Sequence, residues 1–270
     1  MTAIVSGAGL GLTNTSASIL GLQKGDPATG RSGEGATVNV ATGNLIVQRQ
    51  DEILASRGLD LGVLRTYNSQ ATVDGDNNDN WRIGFYRQLK NLAGDVNTAG
   101  SKVVRVGADG AEASYNWDGA TGKFVNAQGA GSYDTLAYST ANSQWTWVDG
   151  DSRVTEVYDW SSSQSTGKLL SQTDTNGNAT TYAYTGNLLT SALDASGERT
   201  YLDYTGNNLG QVRTVKADNT TLATRVRYSY DTSNRLSTVT VDLSPEDNSI
   251  ADGKIYVTTY TYDGTSKRIA

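Results

Sequence analysis

The stretch Tyr228-Ser-Tyr-Asp-Thr-Ser-Asn-Arg-Leu236 decides the fold, because diverged copies of it recur through the C-terminal half of this 270-residue chain. Further tyrosine pairs stand at Tyr182-Ala-Tyr184, Tyr201-Leu-Asp-Tyr204 and Tyr260-Thr-Tyr262. The second tyrosines of successive pairs are 20, 26 and 32 residues apart. Internal repetition with periods of this size is typical of stacked or wrapped architectures.

Each copy reads as a pair of antiparallel strands. Asp174-Thr-Asn-Gly177 and Asp194-Ala-Ser-Gly197 interrupt the strand-like runs with the same spacing, and Asp first with Gly fourth favours a type I turn. Tyrosines two residues apart, such as Tyr182 and Tyr184, share one face of a strand. The sequence therefore predicts an all-β ribbon of short antiparallel strands, with tyrosines packed as cross-strand ladder pairs. We expect one continuous sheet over residues 36–270.

The quoted stretch resembles the RHS repeat, also called the YD repeat, through its Tyr-x-Tyr-Asp element and the Asn-Arg-Leu that follows. Asn234 stands where that family favours Gly, and both residue types accept a left-handed backbone. Upstream, Val38–Leu45, Arg57–Leu61 and Arg65–Ser69 are similar to the segment that precedes the repeats in such proteins. The resemblance covers residues 36–270. It implies a strand ribbon that spirals into a hollow shell, which in several members encloses a C-terminal toxin or effector.

The resemblance marks a set of positions as structural repeat signature and transfers no catalytic, cofactor-binding or metal-ligating residue. Scaffolding is therefore the expected role of these side chains. The signature positions are Tyr182, Tyr184, Tyr201, Tyr204, Tyr228, Tyr230, Asp231, Arg235, Leu236, Tyr260, Tyr262 and Asp263.

Composition excludes several classes of function. The chain has 28 acidic and 22 basic residues and no basic run, whereas nucleic-acid binding needs a positive footprint. It contains no Cys and no His, which removes Ser-His-Asp and Cys-His catalysis and the usual zinc ligands. No run of apolar residues is long enough to span a membrane. We expect no enzyme activity and no cofactor.

The chain divides into three parts by composition. Residues 1–35 are rich in Gly, Ser and Ala and are expected to form a flexible arm. They lack the basic and apolar segments of a Sec signal, so export to the cell surface or medium would take another route. Residues 36–150 read as an irregular β region and residues 151–270 as the repeats. The final residues open a further repeat, which indicates a longer native chain.

The densest group of oxygen ligands is Asp74-Gly-Asp-Asn-Asn-Asp-Asn80. Calcium prefers such ligands, but Asp79 stands where an EF-hand loop needs Gly, and Phe85 stands where it needs Glu. The EF-hand interpretation therefore fails. We expect a solvated turn here and keep a looser calcium loop as the alternative.

Two other functions remain to be weighed against scaffolding. Paired carboxylates could serve a glycosidase, but the candidates stand mostly at turn positions that Asp occupies for backbone reasons. Rows of exposed aromatic rings could stack on sugars, which would make the chain an adhesin-like module that binds glycans or a target-cell surface. The leading expectation is a shell scaffold whose partner is the rest of its own chain. The carboxylate candidates are Asp174, Asp194, Glu198, Asp203 and Asp231.

Overall fold

The computed structural model describes residues 34–39, 43–71, 74–126, 131, 133–218 and 222–270. The arm expected at residues 1–35 lies outside the described residues, except that Glu34 and Gly35 begin the first strand. All strand pairs within the described ranges are antiparallel, so the all-β fold class is confirmed.

Nineteen strands and one short 3-10 helix at Pro245–Asp247 make up the regular structure of these ranges. In chain order the strands are β1 Glu34–Asn39, β2 Asn44–Leu54, β3 Leu61–Asn68, β4 Trp81–Ile83, β5 Gln88–Ala93, β6 Lys102–Val106, β7 Glu112–Asp118, β8 Lys123–Val125, β9 Thr135–Ser139, β10 Gln144–Val148, β11 Thr155–Tyr158, β12 Thr166–Thr173, β13 Ala179–Thr185, β14 Leu188–Leu193, β15 Arg199–Thr205, β16 Asn208–Val215, β17 Leu222–Tyr230, β18 Leu236–Asp242 and β19 Ile255–Thr259.

Strands β5 to β12 form a closed ring of eight strands, in which each strand pairs with the next. The ring closes at β12, which pairs with β11 along one edge and with β5 along the other. Aromatic side chains fill its core. Phe124 and Trp145 are fully buried with ring centroids 5.0 Å apart, and Trp160 lies 5.7 Å beyond Trp145.

From β12 the chain continues as an open meander through β13 to β19, which contains the repeats. The predicted turns are confirmed, since Gly177 N donates to Asp174 O at 3.1 Å and Gly197 N donates to Asp194 O at 3.1 Å. Both glycines have positive φ, +83° and +85°, a conformation that side-chain-bearing residues rarely adopt.

Strands β1 to β4 form a separate sheet that packs against the repeats. Arg49 Nη1 donates to Thr258 Oγ1 at 3.0 Å, and Tyr228 OH donates to Asp51 Oδ2 at 3.3 Å. The expectation of one continuous sheet is therefore wrong for the first four strands. The reason is a turn after β4, where Tyr86 N donates to Ile83 O at 2.9 Å and redirects the chain into the ring.

Among the described residues, no helix has the length and apolar character needed to cross a membrane.

Candidate functional site

In the first three repeats the second tyrosine lies opposite a leucine, not opposite another tyrosine, whereas Tyr262 bridges to Ile269. Because a leucine-bearing strand separates successive tyrosine strands, the cross-strand ring pairs expected from the sequence do not form there. A shift of register precedes the tyrosine in each of the three repeats, which is the mark of a β-bulge. The opposed pairs are Tyr184 with Leu189, Tyr204 with Leu209, and Tyr230 with Leu236.

The hydroxyls of two second tyrosines bind the preceding repeat, whereas the Tyr204 hydroxyl lies 3.4 Å from the hydroxyl of Tyr86. Tyr230 OH donates to Leu209 O at 3.0 Å, and Tyr262 OH donates to Leu236 O at 2.6 Å. Both rings are partly buried against the core, and burial raises the pKa of each hydroxyl, so it stays a donor at neutral pH. At Tyr230 and Tyr262 the repeat motif therefore joins neighbouring hairpins through a side-chain hydrogen bond.

The first tyrosines point instead into buried charged clusters. Tyr182 OH donates to Gln172 Oε1 at 2.5 Å. Arg65 binds Asp51 through two hydrogen bonds of 2.8 and 2.9 Å and donates a third to Tyr260 OH at 2.5 Å. Tyr182, Tyr228 and Tyr260 thus each complete a polar network that earlier strands begin.

Tyr201 departs from this rule. It precedes Tyr204 by three residues rather than two, so the two side chains lie on opposite faces of β15. Leu202, only 2% exposed, takes the inward position. Tyr201 is half-buried on the outer face, where the Arg213 guanidinium lies 4.6 Å from its ring centroid.

The remaining signature residues form a bridge to the next turn. Asp231 Oδ2 accepts from Arg235 Nε at 2.7 Å, and Arg235 Nη1 donates to the carbonyls of Gly264 and Ser266 at 2.8 and 2.6 Å. Asp263 is exposed and begins that turn, since its carbonyl accepts from Ser266 N at 3.0 Å. This contact places the two turns side by side.

The carboxylates considered for glycosidase chemistry occupy backbone-supporting positions. Asp174 Oδ1 accepts from the amides of Asn176 and Asn178, and Asp194 Oδ1 accepts from those of Ser196 and Glu198. Asp203 instead forms an ion pair with Arg213. These contacts are those of turns and cross-strand pairs.

The most heavily hydrogen-bonded charge in the ring is Glu156, which the sequence analysis missed. Its Oε2 accepts from Arg105 Nη2 at 2.7 Å and from Tyr158 OH, and its Oε1 accepts from Arg87 Nη1 at 2.5 Å and from Gln172 Nε2 at 3.0 Å. Burial alone would raise the pKa of Glu156, but the two arginines outweigh it and lower the pKa to about 2. The signal was available, because Glu156 and Tyr158 share the inward face of β11.

This cluster lines a cavity of about 400 Å³ between the ring and the β1–β4 sheet. The Arg105 guanidinium stacks 3.6 Å from the Trp147 ring centroid at its wall. The lining carries more acidic than basic side chains. The charged lining residues are Asp60, Arg87, Arg105, Asp109, Glu112, Asp134, Asp149 and Glu156.

The Asp74–Asn80 segment is a buried docking loop, which corrects the expectation of a solvated turn. Asp74 and Asp79 are each 3% exposed. Asp79 Oδ2 accepts from Leu236 N at 2.9 Å, and Asn77 Nδ2 donates to Asn208 Oδ1 and to Asn234 O, both at 2.9 Å. The loop therefore rests on the turns of two successive repeats.

Burial in this position perturbs the loop's acids. Burial raises the pKa of Asp79 to about 7, and burial followed by the charges of Asp74 and Asp79 raises the pKa of Asp76 well above its ordinary value. One carboxylate oxygen from each of Asp74, Asp76 and Asp79 lies within 4.8 Å of the others. The arrangement gathers three carboxyl groups where the docking loop meets the repeats.

Two family profiles match the chain: a domain of unknown function, DUF6531, over residues 35–115, and the RHS repeat over residues 165–199. A chain of the Photorhabdus luminescens Tc holotoxin pore is similar in structure, with a TM-score of 0.55 and 12% identity over 85% of this chain. At that identity the similarity shows the fold alone. The alignment covers 16% of the Tc chain, so this chain spans about a sixth of its length.

A chain of the TcdB2-TccC3-Cdc42 complex matches at 15% identity over 84% of this chain and 14% of its own, but its TM-score of 0.16 supports no comparison of folds. A search of curated proteins finds no significant match.

The two family matches cover separate parts of the chain, residues 35–115 and residues 165–199. The fold agrees with that of the Tc chain. The Tyr-x-Tyr-Asp pattern has an identifiable structural role here. It supplies the tyrosine that lies opposite a leucine beside the β-bulge, and the Asp231 that pairs with Arg235. The chain therefore contains an RHS repeat at residues 165–199, and it resembles the RHS/YD-repeat family in its repeat motif and fold.

Proposed function

We propose that this chain is a non-catalytic wall segment of a shell. The observation that carries the proposal is the repeated bond from a second tyrosine to the leucine carbonyl of the preceding repeat, at Tyr230 and Tyr262. A bond that recurs between neighbouring repeats lets a wall grow by adding identical contacts. Residues 36–150 would start this wall and residues 151–270 would extend it.

We propose further that the shell belongs to a large secreted or surface-associated bacterial protein, in which it encloses or presents a C-terminal toxin or effector. The fold shared with a Tc toxin chain, of which the aligned region is a small part, supports this proposal. The natural partner of the segment is then the remainder of its own chain.

The outer edge of β19 supports such a continuation. Among the described strands, β19 pairs only with β18. Its side chains Tyr256 and Val257 are 37% and 48% exposed. Unpaired strand edges with exposed apolar side chains favour the addition of a further strand.

Glycan binding, the alternative, stays a prediction. Most of the signature rings pack against the core, and Tyr182, Tyr228 and Tyr260 are at most 8% exposed. Their hydroxyls are engaged in the networks described above. Rings held in this way have no free face for a sugar.

The test is the size and shape of the native protein, isolated with an antibody against residues 36–270 and imaged by negative-stain electron microscopy. We expect a polypeptide far larger than 28.6 kDa that forms closed hollow particles. A polypeptide of 28.6 kDa would refute the wall-segment proposal. A large but open, elongated particle would favour the adhesin instead.

A further inference from the structure

The loop between β3 and β4 brings three carboxylates together in a buried place. One oxygen from each of Asp74, Asp76 and Asp79 lies within 4.8 Å of the other two. Calcium binds carboxylate oxygens at about 2.3–2.6 Å, so three oxygens at this separation can share one ion. The grouping is compact enough for direct coordination.

Backbone amides hold two of these carboxylates in position. Asp74 Oδ1 accepts from Asn78 N at 3.0 Å and its Oδ2 accepts from Asn80 N at 3.0 Å, while Asp79 Oδ1 accepts from Trp81 N at 2.9 Å. Each carboxylate oxygen has two lone pairs. These bonds therefore fix the acids and leave capacity for a cation.

Asp76 supplies an independent indication of a ligand. Its Oδ1 is buried and has no hydrogen-bond partner among the described residues. A buried polar atom without a partner costs about 1–3 kcal/mol, and native structures rarely leave one unexplained. A cation between the three carboxylates would satisfy this oxygen and offset their mutual repulsion.

Two basic side chains, Arg82 and Lys267, interact with the loop. Arg82 acts on Asp74 through its charge, and Lys267 Nζ donates to the carbonyl of Asn78 rather than to a carboxylate. The three acids therefore outnumber the two basic side chains identified beside the loop.

We propose that Asp74, Asp76 and Asp79 form a divalent-cation site of the calcium type. The ion would lock the docking loop onto the repeats, because Asp79 also accepts from Leu236 N through its second oxygen. The site differs from an EF-hand, whose loop joins two helices, because these ligands lie in a loop between the strands β3 and β4. Calcium would then stabilise the contact between the β1–β4 sheet and the repeats.

Terbium luminescence tests the site on the unmodified 270-residue chain. Trp81 is adjacent, because its backbone amide donates to Asp79, so its excitation should sensitise a terbium ion bound there. We expect sensitised emission that calcium displaces. Absence of emission would overturn the proposal, and equal displacement by magnesium would overturn the assignment to calcium.

A variant pair localises the effect. After EDTA treatment, calcium at 100 times its Kd should raise the melting temperature of the unmodified chain by about 5–10 °C. Asp95→Asn, at an exposed position, should keep that shift, and Asp76→Asn should lose it. An unchanged shift in Asp76→Asn would overturn the assignment of the site, as would identical melting of the unmodified chain in calcium and EDTA. If Asp76→Asn does not fold, the terbium titration decides.

Discussion

Replacing Glu156 by Gln should cost the protein stability that depends on pH. The side chain is 1% exposed and accepts from Arg87, Arg105, Tyr158 and Gln172. Its pKa falls from 4.5 to about 2 on folding. Each unit of difference corresponds to about 1.4 kcal/mol, so the ionised carboxylate contributes about 3 kcal/mol at neutral pH. This agrees with the cost of about 3–5 kcal/mol for breaking a buried ion pair.

The sign follows from the depressed pKa. Because the folded state binds the proton less tightly, the contribution is complete above the unfolded value of 4.5 and is lost as the pH falls toward 2. The difference in free energy of unfolding between the unmodified chain and Glu156→Gln should therefore shrink from about 3 kcal/mol at pH 7 to about 1.5 kcal/mol at pH 3.

Urea unfolding at a series of pH values measures this difference. Glu246→Gln is the matched control, because Glu246 is exposed and its replacement should change stability by less than about 0.5 kcal/mol. A loss below about 1 kcal/mol for Glu156→Gln at pH 7, or a loss that is the same at pH 7 and pH 3, would refute the reasoning.

Two further substitutions test the packing of the repeats and the loop. Tyr230→Ala should lower the free energy of unfolding by about 3 kcal/mol. Tyr230→Phe, which loses only the bond to Leu209 O, should lower it by about 1 kcal/mol. An unchanged melting midpoint for the Ala variant would contradict the role of the ring. Gly75→Ala should cost about 3 kcal/mol in urea unfolding, because Gly75 has φ of +106° and a Cβ would lie 2.4 Å from the Tyr86 ring. Gly177→Ala is the control, with positive φ but no atom within 4 Å of the added Cβ, and equal losses in the two variants would contradict the clash.

The sequence predicted those parts of the fold that depend on neighbouring residues. The turns at Asp174 and Asp194 are set by Asp and Gly three positions apart, and the structure contains both. The inward position of Leu202 also follows from strand period alone, although the spacing of Tyr201 and Tyr204 was interpreted as an ordinary pair. Local chemistry is sufficient for such features.

Ring closure and the buried loop could not be predicted in the same way. The pairing of β5 with β12 joins segments that no local pattern relates. Asp79 looks like a solvated turn residue until its partner is known, and that partner, Leu236 N, lies 157 residues later in the chain. Polar residues in turns are usually exposed, so only the tertiary structure identifies this loop as buried.

The docking loop also constrains how the chain reaches its folded state. Asn77 cannot make its bond to Asn234 until another 157 residues have been synthesised, which takes roughly 8 to 30 s at ordinary rates of translation. During that interval the first sheet lacks the surface on which it packs. Contacts this distant in sequence slow folding, so a helper that shields the early strands would have its greatest effect before the third repeat leaves the ribosome.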